Sequence, residues 1–124
     1  MQVKPVVKFT VLDQRKNAIT VRENGSGFTL HSPVSFTLNP GQYSDIDFQI
    51  AVQIPPGHVG LINTVGGLAR YKAVNANDSV IQPYYTKALH LSVVNHGHDP
   101  VEIRKGDPVC VLIVMAALLD HEIS

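Results

Sequence analysis

The stretch from Tyr43 to Pro55, YSDIDFQIAVQIP, alternates Ile46, Phe48, Ile50, Val52 and Ile54 with Asp45, Asp47, Gln49, Ala51 and Gln53. An apolar residue at every second position matches the pleat of a strand with one face in a core, and it matches no helical spacing. Shorter runs of the same character recur at VVKFTVL (Val6 to Leu12), VSFTL (Val34 to Leu38), VGLIN (Val59 to Asn63), ALHLSVV (Ala88 to Val94), VEIR (Val101 to Arg104) and VCVLIVM (Val109 to Met115). Between them stand NPGQ at Asn39, PPGH at Pro55, NHGHDP at Asn95 and RKGDP at Arg104, where Gly supplies positive φ and Pro a fixed φ for turns. Many short strands with such punctuation predict an all-β sandwich or barrel. Only GLARYKAVNAN, Gly67 to Asn77, holds fair helix formers, which leaves room for at most one short helix.

A chain of 124 residues with 44% apolar residues is sized for a single domain, residues 1–124, with a core of its own. Ten Lys and Arg balance ten Asp and Glu and are spread along the chain, so no basic stripe points to nucleic acid or to an anionic membrane. The lone cysteine, Cys110, lies inside an apolar run and reads as a small buried hydrophobe in a reducing, intracellular setting. The longest apolar run, Val109 to Leu119, is too short to span a bilayer of about 30 Å.

That run is apolar on both faces, and each side chain it buries stabilises the fold by roughly 1.5 to 3 kcal/mol. Two placements satisfy it: a central strand of the core, or a strand whose second face packs in a subunit interface. Chemistry-bearing residues are sparse elsewhere. Asp45 and Asp47 share one strand face, which suits an exposed polar surface. His96 and His98 flank a turn glycine with no third ligand at metal spacing. Gly66 and Gly67 suit a turn or cap, Tyr84 and Tyr85 suit packing or a sugar platform, and Lys87, Arg104 and Lys105 read as surface charges beside turns.

Three segments in order, GSGFTL, VGGLAR and SVIQPYYTKALHLSVVN, followed by VEIRKGDPVCVLIV, resemble the first four motifs of the dUTPase family in order and spacing. The resemblance implies a distorted jelly-roll (β-clip) barrel, usually a homotrimer, with sites assembled at subunit boundaries. Under it, Val109, Val111, Ile113 and Met115 are candidates for the trimer interface. The same scaffold serves dCTP deaminases, but no carboxylate stands at Thr86 to Ala88, where that chemistry needs one.

Carried over position by position, the resemblance puts Thr29 where the family has an aspartate, and Val65, Gly66 and Gly67 where it has its Arg-Ser phosphate contacts. It puts Gln82 at the water-activating aspartate, Tyr85 at the aromatic that packs on deoxyribose, and Val111 at a phosphate-contacting glutamine. An amide orients water but takes no proton near neutrality, and losing a general base costs about 10² to 10⁴ in rate. The resemblance therefore implies a catalytically silent member, closest to adenoviral early-region proteins, with no catalytic residue, metal or cofactor and with a host signalling protein as partner. The alternatives are a nucleotide phosphohydrolase with a relocated acid, Asp78 or Asp107, and a structural virion trimer.

Overall fold

The alternation from Tyr43 to Pro55 persists as burial but not as one strand. In the computed structural model, which describes residues 7–11, 21–24, 27–65, 68, 74–76, 80–83 and 88–117, Ile46, Phe48, Ile50, Val52 and Ile54 are all buried. The backbone breaks at Gln49, which takes a positive φ of 59° while its N–H donates to Asp47 Oδ1 at 2.8 Å. A non-glycine residue in that region costs energy, and the side-chain acceptor two residues back offsets it. The break lets one amphipathic stretch serve two different sheets, which the sequence pattern of a single strand does not reveal.

In chain order the described strands are β1 (Lys8–Val11), β2 (Val21–Asn24), β3 (Gly27–His31), β4 (Phe36–Leu38), β5 (Tyr43–Asp47) and β6 (Ile50–Gln53). They continue with β7 (His58–Thr64), β8 (Val74–Ala76), β9 (Val80–Ile81), β10 (His90–Asn95), β11 (Val101–Ile103) and β12 (Pro108–Ala116). They pair as β1-β6, β5-β10-β8, β11-β4 and a five-stranded sheet β2-β3-β12-β7-β9, and every pairing is antiparallel. The fold is all-β, as the turn-punctuated runs predict. Within Gly67 to Asn77, the place left for a helix, the described residues are Leu68, whose N–H donates to Val65 O, and strand β8.

One apolar cluster holds the sheets together. Phe48, Leu30, Leu38, Leu89, Leu91, Ile103 and Leu112 are its largest wholly buried members, and Phe9 meets Phe28 edge-on with ring centroids 5.0 Å apart. Each such side chain contributes roughly 1.5 to 3 kcal/mol. Gly27 lies so close to the Leu112 carbonyl that an added Cβ would collide with backbone, so β3 and β12 approach there only through glycine.

Strand β12 is the central strand of the five-stranded sheet, and its register with β3 shifts between Pro108 and Cys110. The bulge puts Val109 and Cys110 both into the core at 0% exposure, so Val109 offers nothing to a neighbouring subunit. The expected interface residue Val109 is thereby corrected to a core residue. Beyond the bulge Leu112 and Val114 face the core, while Val111, Ile113 and Met115 face outward, Met115 with 46% exposure. Both placements of the run hold at once, one on each face.

Candidate functional site

The outward face of the five-stranded sheet carries the motif positions, and its two halves differ in chemistry. Across one half the register aligns Ile113 with Leu61 and Leu61 with Val80, next to Met115 opposite Val59. Val80 is 53% exposed. None of these side chains belongs to the core cluster, so this half is an outward apolar surface. Across the other half Arg22 aligns with Thr29, Thr29 with Val111, and Val111 with Asn63. Directly opposed residues of antiparallel strands share a face, so this row sets a hydroxyl and an exposed carboxamide on either side of the Val111 methyls.

The structure sets Thr29 directly opposite Val111 in the register of β3 with β12. Val65, just past β7, donates its N–H to Val109 O at 2.9 Å, and its side chain packs on the core. The position where the family holds an arginine is thus turned inward here, a stronger reason for valine than mere loss of a contact. Gly66, Gly67, Asp78, Tyr84, Tyr85 and Lys87 lie outside the described residues.

Gln82, half-buried, follows β9, whose Ile81 pairs with Gly60. It therefore stands at the Val59 end of β7, whereas Val65 stands six residues along that strand. At about 3.3 Å per residue the two ends are about 20 Å apart. Within the chain, therefore, Gln82 does not meet Thr29, Val65 or Val111.

Other titratable groups have structural partners. Asp107 Oδ2 accepts from Arg104 N–H at 2.8 Å and closes the β11–β12 turn, while Arg104 Nε reaches Glu102 at 3.2 Å. The Glu102 carboxylate raises the Arg104 pKa first through its hydrogen bond and then through its charge, so that guanidinium stays cationic. His90 Nδ1 donates to Asp45 Oδ2 at 2.9 Å with its Nε2 3.9 Å from Asp47, an exposed surface pairing that the period-two spacing did not reveal. His31 Nδ1 donates to Gly106 O at 2.9 Å, and its buried Nε2 has no partner among the described residues.

His96 and His98 are exposed on a turn that wholly buried Asn95 organises: Nδ2 donates to Leu38 O and Asp99 O, and Oδ1 accepts from Gly97 N–H. Among the described residues no three His, Cys, Asp or Glu cluster to hold a metal, and no helix is long and apolar enough to cross a membrane. Cys110 is buried, and desolvation pushes its thiol up to about 12.

The family model for dUTPase matches residues 14–124. The chain belongs to the dUTPase family. Among its relatives is the deoxyuridine 5'-triphosphate nucleotidohydrolase of Anaeromyxobacter sp. (strain Fw109-5), 30% identical over 94 residues, covering 74% of this chain and 64% of that protein. The enzyme of the same name from Mycobacterium sp. (strain JLS) is 34% identical over 95 residues, covering 74% and 62%. The chain thus spans less than two thirds of the length of these relatives. The fold matches EIAV dUTPase with a TM-score of 0.83 at 16% identity, covering 96% and 95% of the two chains. It matches dUTPase from phage phi11 of S. aureus with a TM-score of 0.85 at 18% identity, with the same coverage.

These matches correct the expectation of a silent, adenoviral-type protein that engages host signalling proteins. Relatives at 26–34% identity, from bacteria to Homo sapiens, are named as deoxyuridine 5'-triphosphate nucleotidohydrolases. Arg22 and Asn63 lie outside the recognised motifs, and no local signal in the sequence ties either of them to Thr29 or Val111.

Proposed function

We propose that the chain hydrolyses dUTP as a homotrimer, with sites closed between copies. The observation that carries this reading is the family match over residues 14–124 in a chain whose relatives are named as deoxyuridine 5'-triphosphate nucleotidohydrolases. The separation of about 13 Å along β7 between the level of Gln82 and the Thr29–Val111 row supports assembly across copies, and the apolar half of the outward face is the surface that packs them. A triphosphate substrate supports an intracellular setting.

In this reading a water attacks a phosphorus of the triphosphate, the P–O bond to the departing phosphate breaks, and the water's proton passes to a carboxylate. Gln82 Oε1 accepts one water O–H and sets its direction, but it does not take the proton. Asp107 is committed to its turn, which leaves Asp78, four residues before Gln82, as the proton acceptor. The test is dUTP turnover with magnesium present, measured for the wild type, Asp78→Asn and Asp107→Asn. Asp78→Asn lowers kcat by about 10² to 10⁴ while dUTP still binds, and Asp107→Asn lowers stability with kcat kept. A wild type without turnover refutes the function, and an Asp78→Asn variant with wild-type kcat refutes the role of Asp78.

A further inference from the structure

Gly60 sits inside β7, where a glycine weakens a strand unless another element occupies the space of its missing side chain. A Cβ built on it would lie 3.0 Å from Leu112 Cδ1, 3.2 Å from Ile54 Cδ1 and 3.3 Å from Ile81 Cβ, all members of the core. The three neighbours differ in what they can yield. The two Cδ1 atoms end rotatable side chains and can turn aside by a few tenths of an ångström, but Ile81 Cβ is one bond from backbone and moves only with its strand. That strand, β9, is two residues long and among the described residues is held by its pairs with β7, Gly60 with Ile81 and Leu61 with Val80. Val80 is 53% exposed and Ile81 6%, so the burial that holds β9 is that of Ile81 on the bare backbone of Gly60. Gln82 follows directly.

We infer that Gly60 is a positioning residue for Gln82: its missing Cβ seats Ile81 in the core and so sets the place of the carboxamide that directs the attacking water. The inference rests on the proposed function and adds to it a residue that touches neither substrate nor water. The other neighbour of Gly60 shows why a side chain there would displace β9 rather than the rest of the sheet. Gly60 is opposite Val114 of β12, and β12 is fixed by β3 on one side and by seven paired residues of β7 on the other. An edge strand with two pairs yields before a central strand does, and β9 carries Gln82 with it. Attack geometry is sensitive on this scale: a misplacement of about 1 Å costs about 10² in rate, so a shift of about 0.3 Å costs about fourfold when the logarithm of the rate follows displacement.

The test measures dUTP turnover and amide hydrogen exchange in the full chain for the wild type, Gly60→Ala, Gln82→Ala, the double variant and Gly41→Ala. Gly41 has a positive φ of 76° and nothing within 4 Å of an added Cβ, so Gly41→Ala strains a turn outside this sheet, lowers the melting temperature and keeps kcat. Gly60→Ala lowers kcat about three- to tenfold with the KM for dUTP kept, and amides across the β7–β9 pairing exchange faster while those of β3 keep wild-type rates. In the Gln82→Ala background, adding Gly60→Ala leaves kcat unchanged, because it acts through the carboxamide that is gone. Ile81→Val, which trims the side chain that Gly60 seats, gives the same pattern in smaller degree and stands in for Gly60→Ala if circular dichroism shows that variant unfolded. Losses that multiply in the double variant, or β7–β9 amides that exchange at the wild-type rate in Gly60→Ala, overturn the inference. The two readings fail separately: a wild type without turnover whose β9 amides still respond to Gly60→Ala refutes hydrolysis alone, and turnover with unresponsive β9 amides refutes the role of Gly60 alone.

Discussion

Replacing Asn95 with alanine tests how the sheets are tied to one another. The wholly buried Asn95 side chain donates to Leu38 O at 2.9 Å and to Asp99 O at 2.9 Å, and accepts from Gly97 N–H at 2.8 Å. Its backbone also bonds both ways with the β4–β5 turn, N–H to Gln42 O at 3.0 Å and O from Gly41 N–H at 2.8 Å. One residue thus links the end of β10, the turn before β5, and the loop that delivers β11 to β4. Alanine keeps the backbone bonds and removes the three side-chain bonds. The Leu38 carbonyl is left buried without that partner, at about 1 to 3 kcal/mol, while the two part-buried groups can turn to water and cost about 0.5 to 1.5 kcal/mol each. The expected loss is about 2 to 6 kcal/mol, a large share of the 5 to 15 kcal/mol typical of a domain. Urea unfolding at one fixed protein concentration measures it, because an oligomer's stability depends on concentration. Aspartate in place of asparagine keeps the Gly97 bond but turns an oxygen toward two carbonyls, so it is at least as damaging as alanine. A loss below about 1 kcal/mol for alanine with an unchanged m-value would refute the reasoning.

Cys110 resists thiol reagents in the native protein at pH 8 and reacts on unfolding, since burial raises its pKa from 9.0 to about 12. Because the folded-state value lies above the unfolded one, its contribution to stability is complete below pH 9 and falls as pH rises from 9 toward 12, which pH-dependent urea titrations with a Cys110→Ala control detect. Ile113→Asp puts a charge on the outward apolar half without entering the core, so sedimentation shows dissociated subunits while the far-ultraviolet spectrum stays native; an unchanged mass would place the subunit contact elsewhere.

What the sequence discloses is the local part of the architecture. Period-two burial from Ile46 to Ile54, the glycine and proline turns, and the double-faced apolar run of β12 all follow from neighbouring residues, and the structure keeps each of them. The break at Gln49 and the bulge at Val109 were hidden because each depends on what lies across from the strand: β10 on one side of the break and β1 on the other, β3 and β7 around the bulge. A bulge of one residue reverses which face every earlier side chain meets, and so Val109 sits in the core although its alternation with Val111 reads as shared.

The same long-range character governs the site. Thr29 and Val111 are 82 positions apart in sequence yet adjacent across two strands, and Arg22 and Asn63 join their row only because β2 and β7 hold one register. A motif scan compares side chains at matching positions and therefore reports a missing arginine at Val65. Gln82 shows the same thing: its place beside Val59, about 13 Å along β7 from the Asn63–Val111 pair, follows from the pairing of β9 with β7, a relation that no local pattern of the chain contains.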